Sequence, residues 1–293
     1  MIKLIASDMD GTLLNDKMAV SDRNIQAIKN AQKEGIEFII ATGRSLDEAK
    51  PFLKNRVHPG YITLNGAEVY DENENLISSN PISKSSKQKV IDYLRKHQIY
   101  FEVVTNKGIF SDNKDMRITS LAQLLVKLNP STTYEQALED TMERIKLTPM
   151  TFIENYDKIF NDPSYQIMKI LAFSDKEHEV LKPLRLDIEK NISDVVVTSS
   201  SSNNIEINST DAQKGIALLQ YAKDKNIDQT ETMAIGDNLN DESMIRDAGI
   251  GVAMKNAIPV IADLAEIQTD NNVNDGVAQI VEKVIEKVQK QEK

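Results

Sequence analysis

The stretch Ile2-Lys3-Leu4-Ile5-Ala6-Ser7-Asp8-Met9-Asp10-Gly11-Thr12 decides the reading of this chain. A short apolar run of the kind that forms a buried strand ends in two carboxylates, two residues apart, followed by glycine and threonine. In an open α/β sheet, ligands bind beyond the carboxyl ends of the strands. Acid, any residue, acid, Gly, Thr at that place offers a nucleophile and a proton donor. The bland alternative is a turn with two solvated carboxylates, because Asp is costly to bury and common in turns.

Composition narrows the rest. A chain of 293 residues suits one large or two ordinary domains, and 40% hydrophobic content is enough for a buried core. There is no cysteine, hence no disulfide and no thiolate metal site, and His58, His97 and His178 are too scattered for a zinc cluster. The histidines are expected to be surface or packing residues. The N-terminal apolar run is too short for a signal peptide, and no later segment approaches span length, so a soluble cytoplasmic protein with no membrane partner is expected. A formal net charge of -10 and the lack of Trp argue against general nucleic-acid binding. Bulk acidity still leaves room for a small phosphorylated ligand held by local donors. Nothing in the composition specifies an oligomeric state.

Working outward from the opening loop, Ser21 begins a helical pattern through Ile25, Ile28 and Ala31 that Gly35 terminates, and Phe38-Ile39-Ile40-Ala41 follows as a second strand. Thr42-Gly43-Arg44 lies beyond that strand. Ser45 and Glu48 have the spacing of a capping box for another helix, which Pro51 should shorten. Tyr61 to Leu64 reads as a third strand, and Asn65-Gly66 as a turn into a hairpin formed by Glu68-Val69-Tyr70 and Leu76-Ile77.

The pattern then changes. Between about Ser83 and Asn208, two helices, around Lys87 to His97 and Thr133 to Ile145, interleave with alternating runs such as Tyr100 to Thr105 and Ile167 to Phe173. Val195 to Thr198 and Ile205 to Ile207 alternate about a polar turn at Ser199 to Asn204. Parallel-strand patterns resume at Thr232 to Ile235, Gly251 to Ala253 and Ala265 to Ile267, and Val277, Ile280, Val281, Val284, Ile285 and Val288 mark a closing amphipathic helix. The fold class is therefore α/β, a Rossmann-like parallel-sheet core with an inserted α+β cap domain. Residues 1–82 and 209–293 are assigned to the core and residues 83–208 to the cap.

Gly236-Asp237-Asn238-Leu239-Asn240-Asp241 adds two carboxylates after another apolar strand. If the sheet is parallel, Asp8, Asp10, Asp237 and Asp241 converge at one edge. Such a cluster repels itself and raises its own pKa values unless a hard cation neutralises it, and Mg2+ suits carboxylates plus a substrate phosphate. The competing reading of the segment is an Asn/Asp turn with Asp241 capping the helix of Met244 and Ile245. Lys214 lies in the first turn of the helix after Ser209-Thr210-Asp211, where a cation opposes the helix dipole and an anion would relieve it, the alternative being a plain surface lysine.

Asp8-Met9-Asp10-Gly11-Thr12, Ala41-Thr42-Gly43-Arg44, Lys214-Gly215 and Gly236 to Asp241 together resemble the four ordered motifs of the haloacid dehalogenase-like phosphatases. Asn65-Gly66-Ala67, Val252 to Ala257 and Asn274 to Val277 resemble the Cof-type subfamily, and the likeness spans essentially the whole chain. The approach to the lysine, Asp211-Ala212-Gln213, departs from the Gly-Val-Ser-like segment frequent in relatives. Only one helix fits between the first two motifs, whereas roughly 170 residues separate Thr42 from Lys214, so the cap belongs in the second gap.

The resemblance implies a Mg2+-dependent phosphatase that hydrolyses small phosphorylated metabolites. Sugar phosphates are favoured, with a phosphorylated flavin precursor or pyridoxal phosphate also open. It implies that Asp8 attacks phosphorus to form an aspartyl-phosphate and that Asp10 serves as general acid and then base. It further implies that the Asp8 carboxylate, the Asp10 backbone carbonyl and Asp237 bind the metal while Asp241 orients the groups around it. Thr42, Gly43, Lys214, Asn240 and the Met9 backbone N–H would hold the phosphate oxygens. A phosphosugar mutase and a noncatalytic phosphometabolite sensor remain as alternatives. Arg44 stays outside the catalytic set, divided between a salt bridge within the core and a substrate contact. The Lys84, Lys87, Lys89 run is expected to be a solvated helix face, and Met116, Met142, Met150 and Met168 to be packing residues.

Overall fold

The computed structural model describes residues 1–129, 131–147, 150–199 and 203–291. Its backbone divides into two compact units, Met1–Asn80 with Asp211–Lys293, and Pro81–Thr210. The first unit begins with β1 (Leu4–Ser7), β2 (Glu37–Ala41), β3 (Gly60–Thr63), β4 (Glu68–Tyr70) and β5 (Leu76–Ser79). The second contains β6 (Tyr100–Thr105), β7 (Gly108–Ser111), β8 (Met150–Phe152), β9 (Ile167–Phe173), β10 (Val195–Thr198) and β11 (Asn204–Ser209). The chain then completes the first unit with β12 (Thr232–Gly236), β13 (Ile250–Ala253) and β14 (Ile267–Gln268).

The sheet of the first unit has the order β14-β13-β12-β1-β2-β3-β4-β5. Pairing is parallel from β14 to β3 and antiparallel through β4 and β5. Its inner strands are apolar on both faces because each face carries a helical layer. Strand alternation divides their side chains. Ile5, Phe38, Ile40, Met233 and Ile235 enter one core with Ile25, Ile28, Val277, Val281 and Val284 of the helices Asp22–Lys33 and Gly276–Gln291. Leu4, Ala6, Ile39 and Ala234 enter the opposite core with Ala217, Leu218, Met244 and Ile261.

Local signals in the sequence set the helix ends. The Ser21 hydroxyl accepts from the Asn24 backbone N–H, and the helix ends at Lys33 just before Gly35 adopts φ +75°. The Ser45–Glu48 capping box forms, and Pro51 lies in a tighter turn that follows a single helical turn, Leu46–Ala49. Leu64 does not extend β3. Leu64, Asn65 and Gly66 all take positive φ, which turns the chain sharply into β4.

The second unit has the sheet order β10-β11-β9-β6-β7-β8, antiparallel except for β7 with β8. Helices Lys84–Lys96 and Lys182–Asn191 supply Val90, Ile91, Leu94, Leu184 and Ile188 to a core shared with Phe101, Val103 and Ile170. Two helices were expected here, and the structure adds Lys114–Leu128 and Lys182–Asn191 among others. In Lys114–Leu128 the residues Ile118, Leu121, Leu124 and Leu125 are all only half-buried, so no clean apolar stripe marks the helix. The turn expected at Ser199 to Asn204 falls partly on residues 200–202, which lie outside the described residues.

Two smaller expectations are corrected. Lys87 is buried, its Nζ donating to the Phe160 carbonyl at 3.0 Å and lying over that ring, because its aliphatic stem follows Val90 and Ile91 onto the core side of the helix. Met116 and Met142 are exposed, whereas Met168 is buried. Among the histidines, His97 stacks on Tyr93, and the His178 side chain lies outside the described residues.

Buried Asn24 joins three segments of the first unit. Its Nδ2 donates to the Leu13 carbonyl at 3.3 Å, and its Oδ1 accepts from the Ala278 N–H at 2.9 Å. Asn24→Ala strands both backbone groups and is expected to cost about 2 kcal/mol, read as a lower urea midpoint at unchanged m-value.

Candidate active site

Three strand ends build the site. In the sheet β1 lies between β12 and β2, so Asp8, Asp237 and Thr42, the residues that follow these strands, emerge side by side at one carboxyl edge. The ladder continues into the loops: the Asp8 N–H donates to the Ile235 carbonyl at 2.9 Å, and the Thr42 N–H to the Ile62 carbonyl at 2.8 Å. Met9 is fully buried among core side chains, so the residue between the two acids anchors the loop.

Lys214 is the first residue of the helix Lys214–Asp224 and has no exposed surface. Its Nζ lies 2.7 Å from Asp8 Oδ1 and 2.6 Å from Asp241 Oδ1. The anion expected at this helix start is thus supplied by the protein's own carboxylates. Asp241 does not act mainly as a helix cap: its Oδ2 accepts the backbone N–H groups of Asp237 at 2.8 Å and Asn238 at 3.0 Å. Both its oxygens are committed, one to the lysine and one to closing the 237–241 turn.

Asp237 is held from the other side. Its Oδ1 accepts from the Thr12 hydroxyl at 2.8 Å, which ties the fourth motif to the first. Gly11, at φ +83°, lies so close that a Cβ there would meet Asp237 Oδ2 at 2.5 Å, which accounts for glycine between the second acid and the threonine. Close approach also sets Gly215, where a Cβ would lie 2.5 Å from the Ser243 backbone and push Lys214 off its carboxylates.

Asp8, Asp237 and Asp241 each offer a carboxylate oxygen within 4.8 Å of the others, the one group of potential metal ligands found among the described residues. Burial raises the Asp8 carboxyl well above its ordinary range, helped by Asp241 and opposed by Lys214. Burial and then Asp241 push Asp237 up to about 7. Burial works against the charge of Lys214, yet Asp241 and Asp8 outweigh it and raise its pKa. One ammonium against two buried carboxylates and the half-buried Asp237 leaves an excess of acidic groups. A hard divalent cation fits that excess and the all-oxygen donor set, with Asp8 and Asp237 as the carboxylates whose second oxygens accept no hydrogen bond from the described residues.

The other expected site residues are distributed as follows. Thr42 is buried, and its Oγ1 accepts from the Arg44 N–H at 3.2 Å across Gly43. Asn240 Nδ2 donates to Asn65 Oδ1 at 3.2 Å, joining the fourth motif to the turn after β3. The Asp10 carboxylate stands apart from the cluster, in a two-point pair with Arg44: Nε to Oδ2 at 2.7 Å and Nη2 to Oδ1 at 2.6 Å. Arg44 thus makes a salt bridge, but one partly open to solvent and not the core pair that was expected.

Supporting residues escaped sequence reasoning. Asn256 Nδ2 donates to the Gly11 carbonyl and Asn272 Nδ2 to the Leu14 carbonyl, both at 2.8 Å, while the Asn272 N–H donates to Asn256 Oδ1. Asn256 lies in a segment noticed only for its family likeness. An asparagine that reaches backbone some 245 positions away carries no local signal.

Comparison with known proteins follows the same lines. A family model described as haloacid dehalogenase-like hydrolase matches residues 5–281. Phosphatase YwpJ of Bacillus subtilis (strain 168) is 31% identical over 287 residues, covering 97% of this chain and 100% of its own. The 5-amino-6-(5-phospho-D-ribitylamino)uracil phosphatase YcsE of the same organism is 32% identical over 281 residues, covering 96% of this chain and 94% of its own. The solved structure of a haloacid dehalogenase-like hydrolase from B. subtilis superposes with a TM-score of 0.85 at 31% identity, covering 96% of this chain and 99% of that one.

The buried lysine predicts a specific energetic coupling. Lys214→Met strands Asp8 and Asp241 and is expected to destabilise the EDTA-treated protein by about 3 kcal/mol in urea. Adding Asp8→Asn to Lys214→Met should recover part of that loss, a non-additivity that a double-mutant cycle measures.

Proposed function

The chain belongs to the haloacid dehalogenase-like hydrolases, and from that premise we propose that it is a Mg2+-dependent phosphomonoesterase working through an aspartyl-phosphate on Asp8. The observation that carries this reading is the buried Lys214 spanning Asp8 and Asp241, with Asp237 completing an oxygen-only cluster at the carboxyl edge of β1 and β12. A structural ion pair would need one carboxylate, and the surplus of acids calls for a cation, through which an anionic substrate can be held.

Asp8, Asp237 and the Asp10 backbone carbonyl would hold Mg2+, with Asp241 fixing the turn that presents Asp237. When bound, the ion supplies positive charge that offsets repulsion between Asp8 and the phosphate and stabilises the transferring group. The residues do the rest. Thr42, Gly43, Lys214, Asn240 and the Met9 N–H orient the phosphate so that the Asp8 carboxylate faces phosphorus opposite the ester oxygen. A bond forms from Asp8 to phosphorus, the ester P–O bond breaks, and the leaving oxygen takes a proton from Asp10. In the second half, water attacks phosphorus as Asp10 accepts its proton, the Asp8–phosphorus bond breaks, and inorganic phosphate leaves.

We assign the substrate to the small phosphorylated metabolites, with sugar phosphates first and a phosphorylated flavin precursor or pyridoxal phosphate beside them. The ribityl phosphate in the name of the relative YcsE supports a polyol or sugar carrying the ester. Selection among them is assigned to the second unit, Pro81–Thr210.

Phosphate release from sugar phosphates, nucleotides, pyridoxal phosphate and phosphorylated flavin precursors tests the proposal. Release should require Mg2+, stop with EDTA, and fall by about 10^3-fold or more in Asp8→Asn, the loss expected when a covalent nucleophile is removed. Turnover that survives Asp8→Asn overturns the mechanism, and phosphate passed to a second sugar instead of water identifies a mutase.

A further inference from the structure

The proposed chemistry needs the Asp10 carboxyl group free to reach the leaving oxygen, and the structure holds it in a pair with Arg44. Both of its oxygens accept from the Arg44 guanidinium, at 2.7 and 2.6 Å. The Asp10 side chain is 46% exposed, and no other side chain among the described residues hydrogen-bonds its carboxylate. Its orientation therefore depends on one partner.

That partner is itself held. The Arg44 guanidinium carbon lies 4.8 Å from the centre of the Phe52 ring, and the side chain is only 26% exposed. Its backbone is fixed at both ends: the N–H donates to Thr42 Oγ1 at 3.2 Å, and the carbonyl accepts from the Leu64 N–H at 3.0 Å. The Leu64–Gly66 turn, with its three positive φ angles, thus grips the loop that presents Arg44. A planar fork on a stacked, anchored stem gives an exposed carboxylate one preferred rotamer, which a lysine ammonium would not do. An exposed pair is also weak enough to open in each turnover.

Resting on the acid–base reading of Asp10, we propose that Arg44 is a positioning residue that docks the Asp10 carboxylate between proton transfers, releases it as it takes up from water the proton it next gives to a leaving oxygen, and acts on the reaction only through Asp10. It returns the carboxylate to one place from which a short side-chain rotation reaches the leaving oxygen. Without it, Asp10 samples the rotamers open to a solvated aspartate, and fewer of its encounters with the ester are productive. Arg44 makes no contact with the phosphate in this account, so its removal leaves phosphate affinity unaltered.

The test compares Arg44→Gln, Arg44→Lys, Asp10→Asn and Arg44→Gln/Asp10→Asn in full-length, Mg2+-loaded protein. The substrates are p-nitrophenyl phosphate, whose leaving group needs little protonation, and an alkyl ester such as glucose 6-phosphate or β-glycerophosphate. Asp10→Asn should lose far more on the alkyl ester, and equal loss on both overturns the acid–base reading itself. Given that result, both Arg44 variants should lower kcat on the alkyl ester by about five- to tenfold more than on the aryl ester, with KM and inhibition by inorganic phosphate little moved. Arg44→Gln should add nothing in the Asp10→Asn background. An equal loss on the two esters, a further loss on top of Asp10→Asn, or weaker phosphate inhibition overturns the proposal in favour of direct phosphate contact. Thermal midpoints of all variants separate these outcomes from unfolding, and Arg44→Lys, which keeps the charge but not the fork, serves if Arg44→Gln does not fold.

Discussion

A lysine ammonium with no access to water, held between Asp8 and Asp241, is the constraint on which the first unit's architecture turns. A buried cation is tolerated only when paired and hydrogen-bonded, and here both partners come from other segments of the chain. The helix beginning at Lys214 must therefore dock where β1 and β12 end. Gly215 allows that docking, since any side chain there would collide with the backbone at Ser243. The glycines at 11 and 236 repeat the pattern, each making room for a carboxylate that comes within 3 Å of where its Cβ would be.

The site is electrostatically unfinished by protein groups alone. Two buried carboxylates and the half-buried Asp237 face one ammonium, and both Asp8 and Asp237 are pushed toward the neutral form by burial and then by the charge of Asp241. Such a frustrated cluster costs folding free energy, which agrees with the tendency of functional sites to hold arrangements that packing alone would not select. The groups around it are correspondingly over-determined: the Thr12 hydroxyl on Asp237, two backbone N–H groups on Asp241, and Asn256 on the Gly11 carbonyl. Rigid support places the acids before any ligand arrives, so little of that ordering is left to binding.

Asp10 is the exception to this rigidity, and its difference from Asp8 is instructive. Two aspartates separated by one residue point to opposite environments, because the intervening Met9 is buried and the loop turns at Gly11. Asp8 is enclosed and fixed by the lysine, whereas Asp10 is half exposed and held by a single arginine. A nucleophile benefits from a fixed line of attack, and a group that serves first as acid and then as base benefits from freedom to move.

The sequence by itself determined the elements whose signals are local. Apolar runs ending in Asp8, Thr42 and Asp237 placed the three loops at strand ends, and Ser21 and the Ser45–Glu48 box marked helix starts. Convergence of Asp8, Asp237 and Asp241, though not of Asp10, followed from assuming a parallel sheet, since parallel strands put their ends on one edge. Local pattern failed where amphipathicity was blurred, as in Lys114–Leu128, and where a long side chain could go either way, as with Lys87. Only the tertiary structure decided that Asp241 spends both oxygens on Lys214 and on its own turn, that Arg44 holds Asp10, and that Asn65 and Asn256 brace loops far away in sequence. Those choices depend on distances and hydrogen-bond directions between segments, which residue spacing along a chain does not encode.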